Sequence, residues 1–235
     1  MRRAFFHRCA VIDDGCNPRL VKGAEFDGAL GIPIIRAPKK IIIPPALTPF
    51  TMRNRIMNMK EMICFNEMDP NFSDVLRNPD YYLGDFKKYG GIISLDCSLY
   101  RNAPLAVQLT NIYKSRAIGS YYQRNGVYVV PFVRWGDRYT YTTEYFPEKI
   151  AFLGVEKHSI VAIGTYGCIN TREDKIYFKE GLKEMIKTLE PKVVLVYGAM
   201  PTSVFSDFDN MTKFVHYDDW TTRMHKKGDN KNGKQ

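Results

Sequence analysis

The sequence predicts an α/β protein built from repeated βα units around a parallel sheet. Four apolar runs carry that prediction: GIISLDCSLY from Gly91, VYVVPFVRWG from Val127, SIVAIGTYG from Ser159 and KVVLVYGAM from Lys192. They recur roughly every 34 residues, and each ends in a polar or glycine-containing cluster. Segments of helical periodicity separate them, and repeated strand-plus-helix units imply strands buried on both faces. A TIM-like or degenerate barrel is the favoured architecture, with an open doubly wound sheet as the alternative. In both, ligands bind at the carboxyl ends of the strands, so the residues that close each run are the candidates for function.

The elements follow in order. Residues 1–30 show no period and read as an irregular arm or edge element, punctuated by Gly15, Gly23 and Gly28. Pro33 to Phe50 alternates short apolar runs with prolines, which cannot donate to a central ladder, so short extended pieces at the sheet margin are expected. A weaker strand signal, EMICFNEMD, starts at Glu61. Asn71 to Tyr89 has a helical pattern broken at Asn78-Pro79, which predicts two short helices. Pro104 to Arg124 predicts a long helix, with Leu105, Leu109, Ile112, Tyr113 and Ala117 as its stripe and Gly126 beyond its end. The aromatic and threonine-rich stretch Tyr139–Tyr145 is open between strand, lid and loop, and Phe146 to Val155 reads as a short helix. Lys175 to Leu189 is strongly amphipathic, and Lys213 to Tyr217 reads as a last strand. The whole of 1–225 is expected to be a single domain, with 226–235 a disordered basic tail.

Composition narrows the class. The 235 residues are 45% hydrophobic, ordinary for a globular domain with a sizeable core. No apolar stretch approaches the roughly eighteen residues that a membrane span needs. The basic opening lacks a long apolar core, so a secretory signal is not expected. Five cysteines without a C-x-x-C pair fit a reducing cytoplasm, with Cys64 and Cys97 as core residues. Much of the formal charge of +9 sits in Arg2, Arg3 and Arg8 at one end and in Lys226, Lys227, Lys231 and Lys234 at the other. Such ends attract polyanions or act as solvated, solubilising termini.

Asp96 is the candidate catalytic residue, because a carboxylate after Ile92, Ile93 and Leu95 must be paired, hydrogen-bonded or facing a cleft. The competing reading is a carboxylate that fixes the loop before Tyr100. Arg134 and Trp135 close the next run as an anion fork and a stacking face, or as a structural partner of Asp96 and a plug. Thr165 and Gly167 follow the third run, Tyr197 and Gly198 the fourth. Their glycines suit close ligand approach and equally suit ordinary turns. Gln108, Asn111 and Ser115 share one helix face, either toward a ligand or toward water, with Arg116 adjacent. His216, beside Asp218 and Asp219, is a minor metal or acid–base candidate. No G-x-G-x-x-G, P-loop, H-E-x-x-H or G-x-S-x-G occurs, so dinucleotide, Walker-type, zincin and serine-hydrolase chemistries have no motif here; no metal ligand set or cofactor is assigned.

The order GIISLDCSLYRNAPLAVQLTNIYKSRAIGSYYQRNGVYVVPFVRW, SIVAIGTYGC, FKEGLKEMIKTLEPKVVLVYG resembles domain-of-unknown-function family 4417, over roughly Gly31 to Tyr217. Asp96, Ser98, Tyr100, Pro104, Arg134, Trp135, Gly167, Gly181, Tyr197 and Gly198 carry the resemblance. It implies a bacterial, phage or mobile-element protein of the cytoplasm and transfers no activity. Three function classes follow. The first binds nucleic acid, a nucleotide or another phosphate-bearing ligand at the strand ends. The second is a hydrolase or lyase with Asp96 as acid or base. The third binds a host protein without catalysis, as an anti-defence factor would. Membrane partners are not expected.

Overall fold

The computed structural model describes residues 18–232, with side chains as far as Lys226. Most of the expected N-terminal arm and the end of the basic tail lie outside the described residues. After a turn at Pro18–Val21 come β1 (Phe26–Asp27) and β2 (Ile32–Pro33), which pair with each other antiparallel. Then follow β3 (Leu47–Pro49), β4 (Met62–Cys64), α1 (Ser73–Arg77), α2 (Pro79–Phe86), β5 (Ile92–Ile93) and α3 (Leu105–Arg124). The chain continues through β6 (Val129–Val130), α4 (Arg138–Tyr141), β7 (Ile160–Gly164), α5 (Arg172–Leu189) and β8 (Val193–Tyr197). It ends with α6 (Thr202–Phe205), β9 (Lys213–Tyr217) and α7 (Trp220–Asn232).

All seven strands from β3 onward run parallel. They form a four-stranded sheet, β3-β4-β5-β6, and a three-stranded sheet, β7-β8-β9. One bridge, Phe132 to Ala162, joins the two: Val133 N donates to Ala162 O at 2.8 Å, and Ala162 N donates to Pro131 O at 2.9 Å. The strand order is sequential and never reverses, so the switch point of a doubly wound sheet is missing among the described residues. No ladder pairs β9 with β3, so a closed barrel is not found there either. One side of the strands still forms a single cluster, with Leu47, Met62, Ile93, Val130, Ile160, Leu195 and Tyr217 supplying one residue from each strand. The opposite side packs on α1–α3 in the first sheet and on α5 and α6 in the second.

The local signals explain the elements. Pro49 ends β3, which lies at a sheet edge as its proline requires. Asn78-Pro79 separates α1 from α2, because proline disfavours helix at the residue before it. A capping box starts α5: Thr171 Oγ1 accepts from Asp174 N at 3.1 Å, and Asp174 Oδ2 accepts from Thr171 N at 3.0 Å. Leu182, Met185, Ile186 and Leu189 of α5 are buried, whereas Ile176 in its first turns is exposed. The Tyr139–Tyr145 stretch opens as α4, capped by Asp137, with the Tyr139 and Tyr145 rings edge to face at 4.4 Å. Only Ile150–Phe152 of the helix expected after it forms, as one 3-10 turn. No helix among the described residues is long and apolar enough to cross a membrane.

Candidate functional site

The first strands of the sheet are short, so their chains leave the ladder early and bring polar side chains to its carboxyl end. Asn66 follows β4, Asp96 follows β5, and Arg134 follows β6. Arg134 Nη1 donates to Asp96 Oδ1 at 2.7 Å, Asn66 Nδ2 donates to Asp96 Oδ2 at 3.1 Å, and Arg134 Nη2 lies 2.9 Å from Cys168 Sγ. Each carboxylate oxygen of Asp96 therefore has its own donor. Burial pushes the Asp96 carboxyl up from its ordinary range, and the neighbouring guanidinium opposes that shift. Arg134 is half-buried, which lowers its pKa, but the Asp96 and Cys168 groups beside it outweigh that and push it up, so it stays cationic.

This triad floors an open cavity of about 630 Å³. Tyr100 and Tyr166 stand on its rim, 66% and 69% exposed. Beside Tyr100, Arg101 stacks over the Tyr177 ring at 4.3 Å and pairs with Asp174 at 2.8 Å. Trp135 forms a wall against Phe178, ring centroids 5.0 Å apart. Its indole lies so close to α5 that a Cβ at Gly181 would fall 2.1 Å from Trp135 Nε1. Ser98, also in the lining, is anchored by Asp69, whose carboxylate accepts from its backbone N at 3.1 Å and its hydroxyl at 2.7 Å.

Asp96, Arg134, Trp135, Tyr100 and Gly167 thus share one cavity. Thr165, Tyr197 and Gly198 lie at the same end of the sheet but outside its lining, because they are occupied in holding the turns. Thr165 Oγ1 donates to Ala199 O at 2.7 Å, the Tyr197 hydroxyl accepts from Trp220 N at 3.0 Å, and Gly198 takes a φ of 100°. The amides of Gln108 and Asn111 are engaged by the protein's own backbone and side chains. Gln108 is buried, donating to Ala103 O at 2.8 Å and Asp137 Oδ2 at 2.9 Å, and Asn111 donates to Ser98 O at 2.7 Å. Arg116 is also buried and donates to the carbonyls of Phe132, Ala151 and Leu153 at 2.6, 3.0 and 3.0 Å; burial pushes its pKa down to about 10. The polar stripe of α3 faces inward because irregular loops there present carbonyls that need donors. His216 bonds to Gly198 O at 2.8 Å, and among the described residues no three His, Cys, Asp or Glu side chains converge on a metal position.

Asn66, Arg101, Asp174 and Tyr177 were not singled out by the sequence. Asn66 closes the weakest of the strand runs, so the rule that marked Asp96 and Arg134 applies to it as well. The other three come from a loop and a helix surface, and no periodicity points to them.

Fold and site together define a parallel α/β protein with a polar cavity at the carboxyl ends of its central strands. A family profile described as Domain of unknown function (DUF4417) matches residues 24–218, and the chain belongs to that family, as its motif order implied. It is 30% identical over 155 residues to the Gene 1 protein of Mycobacterium phage L5, a match covering 66% of this chain and 64% of the phage protein. To the Gene 1 protein of Mycobacterium phage D29 it is 28% identical over 158 residues, covering 67% and 55%. The match thus spans less than two thirds of either phage protein. No solved structure matches the chain.

Proposed function

We propose that this phage-type protein binds a nucleoside or mononucleotide in the cavity above Asp96, within an incomplete barrel. The barrel reading is supported by the single cluster that residues from all seven sequentially ordered strands form on one side. Ligand binding rests on one observation: a buried carboxylate held by an amide and a guanidinium lies beneath an exposed tyrosine rim. Aromatic faces stack on a base, and a fixed acid–amide pair reads its polar edge. The lining charges set the size of the anion. Both guanidiniums are already paired, and Glu67, Asp96 and Asp174 are all present, so a polyphosphate is disfavoured and at most one phosphate reaches Arg101. The proposed setting is the host cytoplasm.

The test is calorimetric titration with nucleosides and nucleoside monophosphates, followed by Tyr166→Ala. One member of the series should bind saturably, and Tyr166→Ala should weaken it by about tenfold, the lower end of one base stack. No binding at millimolar concentration anywhere in the series rejects the reading. The raised pKa of Asp96 favours a second reading, in which it acts as acid or base on the bound ligand. Turnover by the wild type that vanishes in Asp96→Asn, with binding retained, would select that alternative.

A further inference from the structure

We infer that the amino end of the sheet, opposite the cavity, is a docking surface for the phosphate backbone of duplex DNA. Parallel strands begin together, and here a lysine stands at or near the start of nearly every one. Lys60 precedes β4, Lys87 lies in the loop before β5, Lys157 precedes β7, Lys192 precedes β8, and Lys213 opens β9. Lys40 comes to the start of β6, where the Tyr128 hydroxyl donates to its carbonyl at 3.1 Å. All six are exposed.

The backbone joins them into one rim. Lys213 N donates to Lys192 O at 3.3 Å, and Lys192 N donates to Ser159 O at 2.8 Å. Lys60 O packs so tightly on Gly90 that a Cβ there would lie 2.4 Å away, and Lys87 Cε is 3.9 Å from the same point on Gly126. Most acids nearby are held by arginines: Glu61 by Arg223 at 3.0 Å, Asp85 by Arg53 at 3.0 Å, and Glu156 by Arg36. Arg36 is shared with Glu25, and Glu190 and Asp209 lie near the rim as well, so the six lysines outnumber the acids that arginines leave uncompensated.

The occupant follows from charge and shape. Flexible ammonium groups spread over a broad face match the phosphates of a duplex and carry no base readout. A single strand would call for free aromatic platforms. Tyr89 and Tyr128 on this rim are half-buried, with their hydroxyls bonded to Arg53 O and Lys40 O.

The experiment is fluorescence anisotropy with a labelled duplex of about 20 base pairs, on the full chain, between about 50 and 200 mM salt. The variants are the triple Lys60→Gln/Lys192→Gln/Lys213→Gln, a tail variant with Lys226, Lys227, Lys231 and Lys234 all changed to Gln, and Arg101→Gln at the cavity. The rim triple should bind at least tenfold more weakly and lower the salt slope by about 0.9 for each lysine that touches phosphate, while melting like the wild type. Arg101→Gln should leave duplex binding unchanged. Absence of wild-type duplex binding at about 50 mM salt, loss confined to the tail variant, or tighter binding to the single strand each overturns the inference. None of these outcomes touches the nucleotide titration, which probes the other end of the sheet.

Discussion

The two halves of the sheet differ in how far their ladders run. In β7 and β8 five consecutive residues pair, and all are buried. Between β4 and β5 one pair forms, and between β5 and β6 only two. A long ladder satisfies its own backbone, whereas a short one leaves amides and carbonyls for side chains to meet. The first half shows that substitution: Phe132 N donates to Ser94 Oγ at 2.8 Å, and Arg116 serves three carbonyls. Asn66, Asp96 and Arg134, the floor of the cavity, all come from this half. The regular half contributes Tyr166 of the rim from the loop after β7, and Asp174 and Tyr177 from the start of α5, while Tyr100 comes from the loop after β5. Polar chemistry thus enters the fold where its ladder stops.

The largest effect should come from Arg116→Met, which keeps much of the volume but leaves three buried carbonyls without their donor. A cost of about 3 kcal/mol or more is expected in urea unfolding. A midpoint equal to that of the wild type would mean that side chains do not substitute for the missing ladder. Next come Asp96→Asn and Arg134→Gln. Each should cost about 2 kcal/mol, below the usual range for a broken buried pair because Arg134 keeps some solvent contact and Cys168. The double variant should lose about 1 kcal/mol less than the sum, and strict additivity would separate the two residues energetically.

The smallest effect lies in the regular half. Thr171→Ala removes the cap of α5 and should cost about 1 kcal/mol. The Thr171 hydroxyl and amide hold the Asp174 carboxyl below its ordinary value. A depressed acid stabilises the fold above its unfolded pKa and loses that contribution as pH falls through the folded one. The gap between wild type and Thr171→Ala should therefore narrow on acidification, and a melting series from neutral to acid pH checks it.

The same contrast explains what was legible in the sequence. The long ladders of β7 and β8 and the amphipathic α5 write their burial as continuous or periodic apolar residues, so their positions were read closely. Asp96 and Arg134 were legible because a charge at the end of an apolar run has few places to go. The stripe of Gln108, Asn111 and Ser115 was legible as a shared face, but that it turns inward was not, since periodicity reports which residues share a face and not what that face meets. Gln108 and Asn111 meet carbonyls in loops that a one-dimensional pattern does not bring near. The same limit hid Arg101 and Tyr177, whose meeting depends on how α5 lies across the sheet. Nor does the pattern show that Tyr122 buries its hydroxyl on Pro79 O at 3.1 Å.

Arg116 also decides what counts as a separable piece of this chain. Its acceptors at Phe132, Ala151 and Leu153 follow it by 16, 35 and 37 positions. A nascent chain that has emerged only as far as β6 holds α3 with a guanidinium turned toward an apolar interior and nothing to receive it. The strands β3–β6 therefore do not become a finished module when their own sheet is complete. They wait for the connector through Leu153, which belongs by position to the second sheet. Recombination between phage relatives at the visible seam between the sheets would part donor from acceptors, so the heritable block extends from α3 to the threshold of β7.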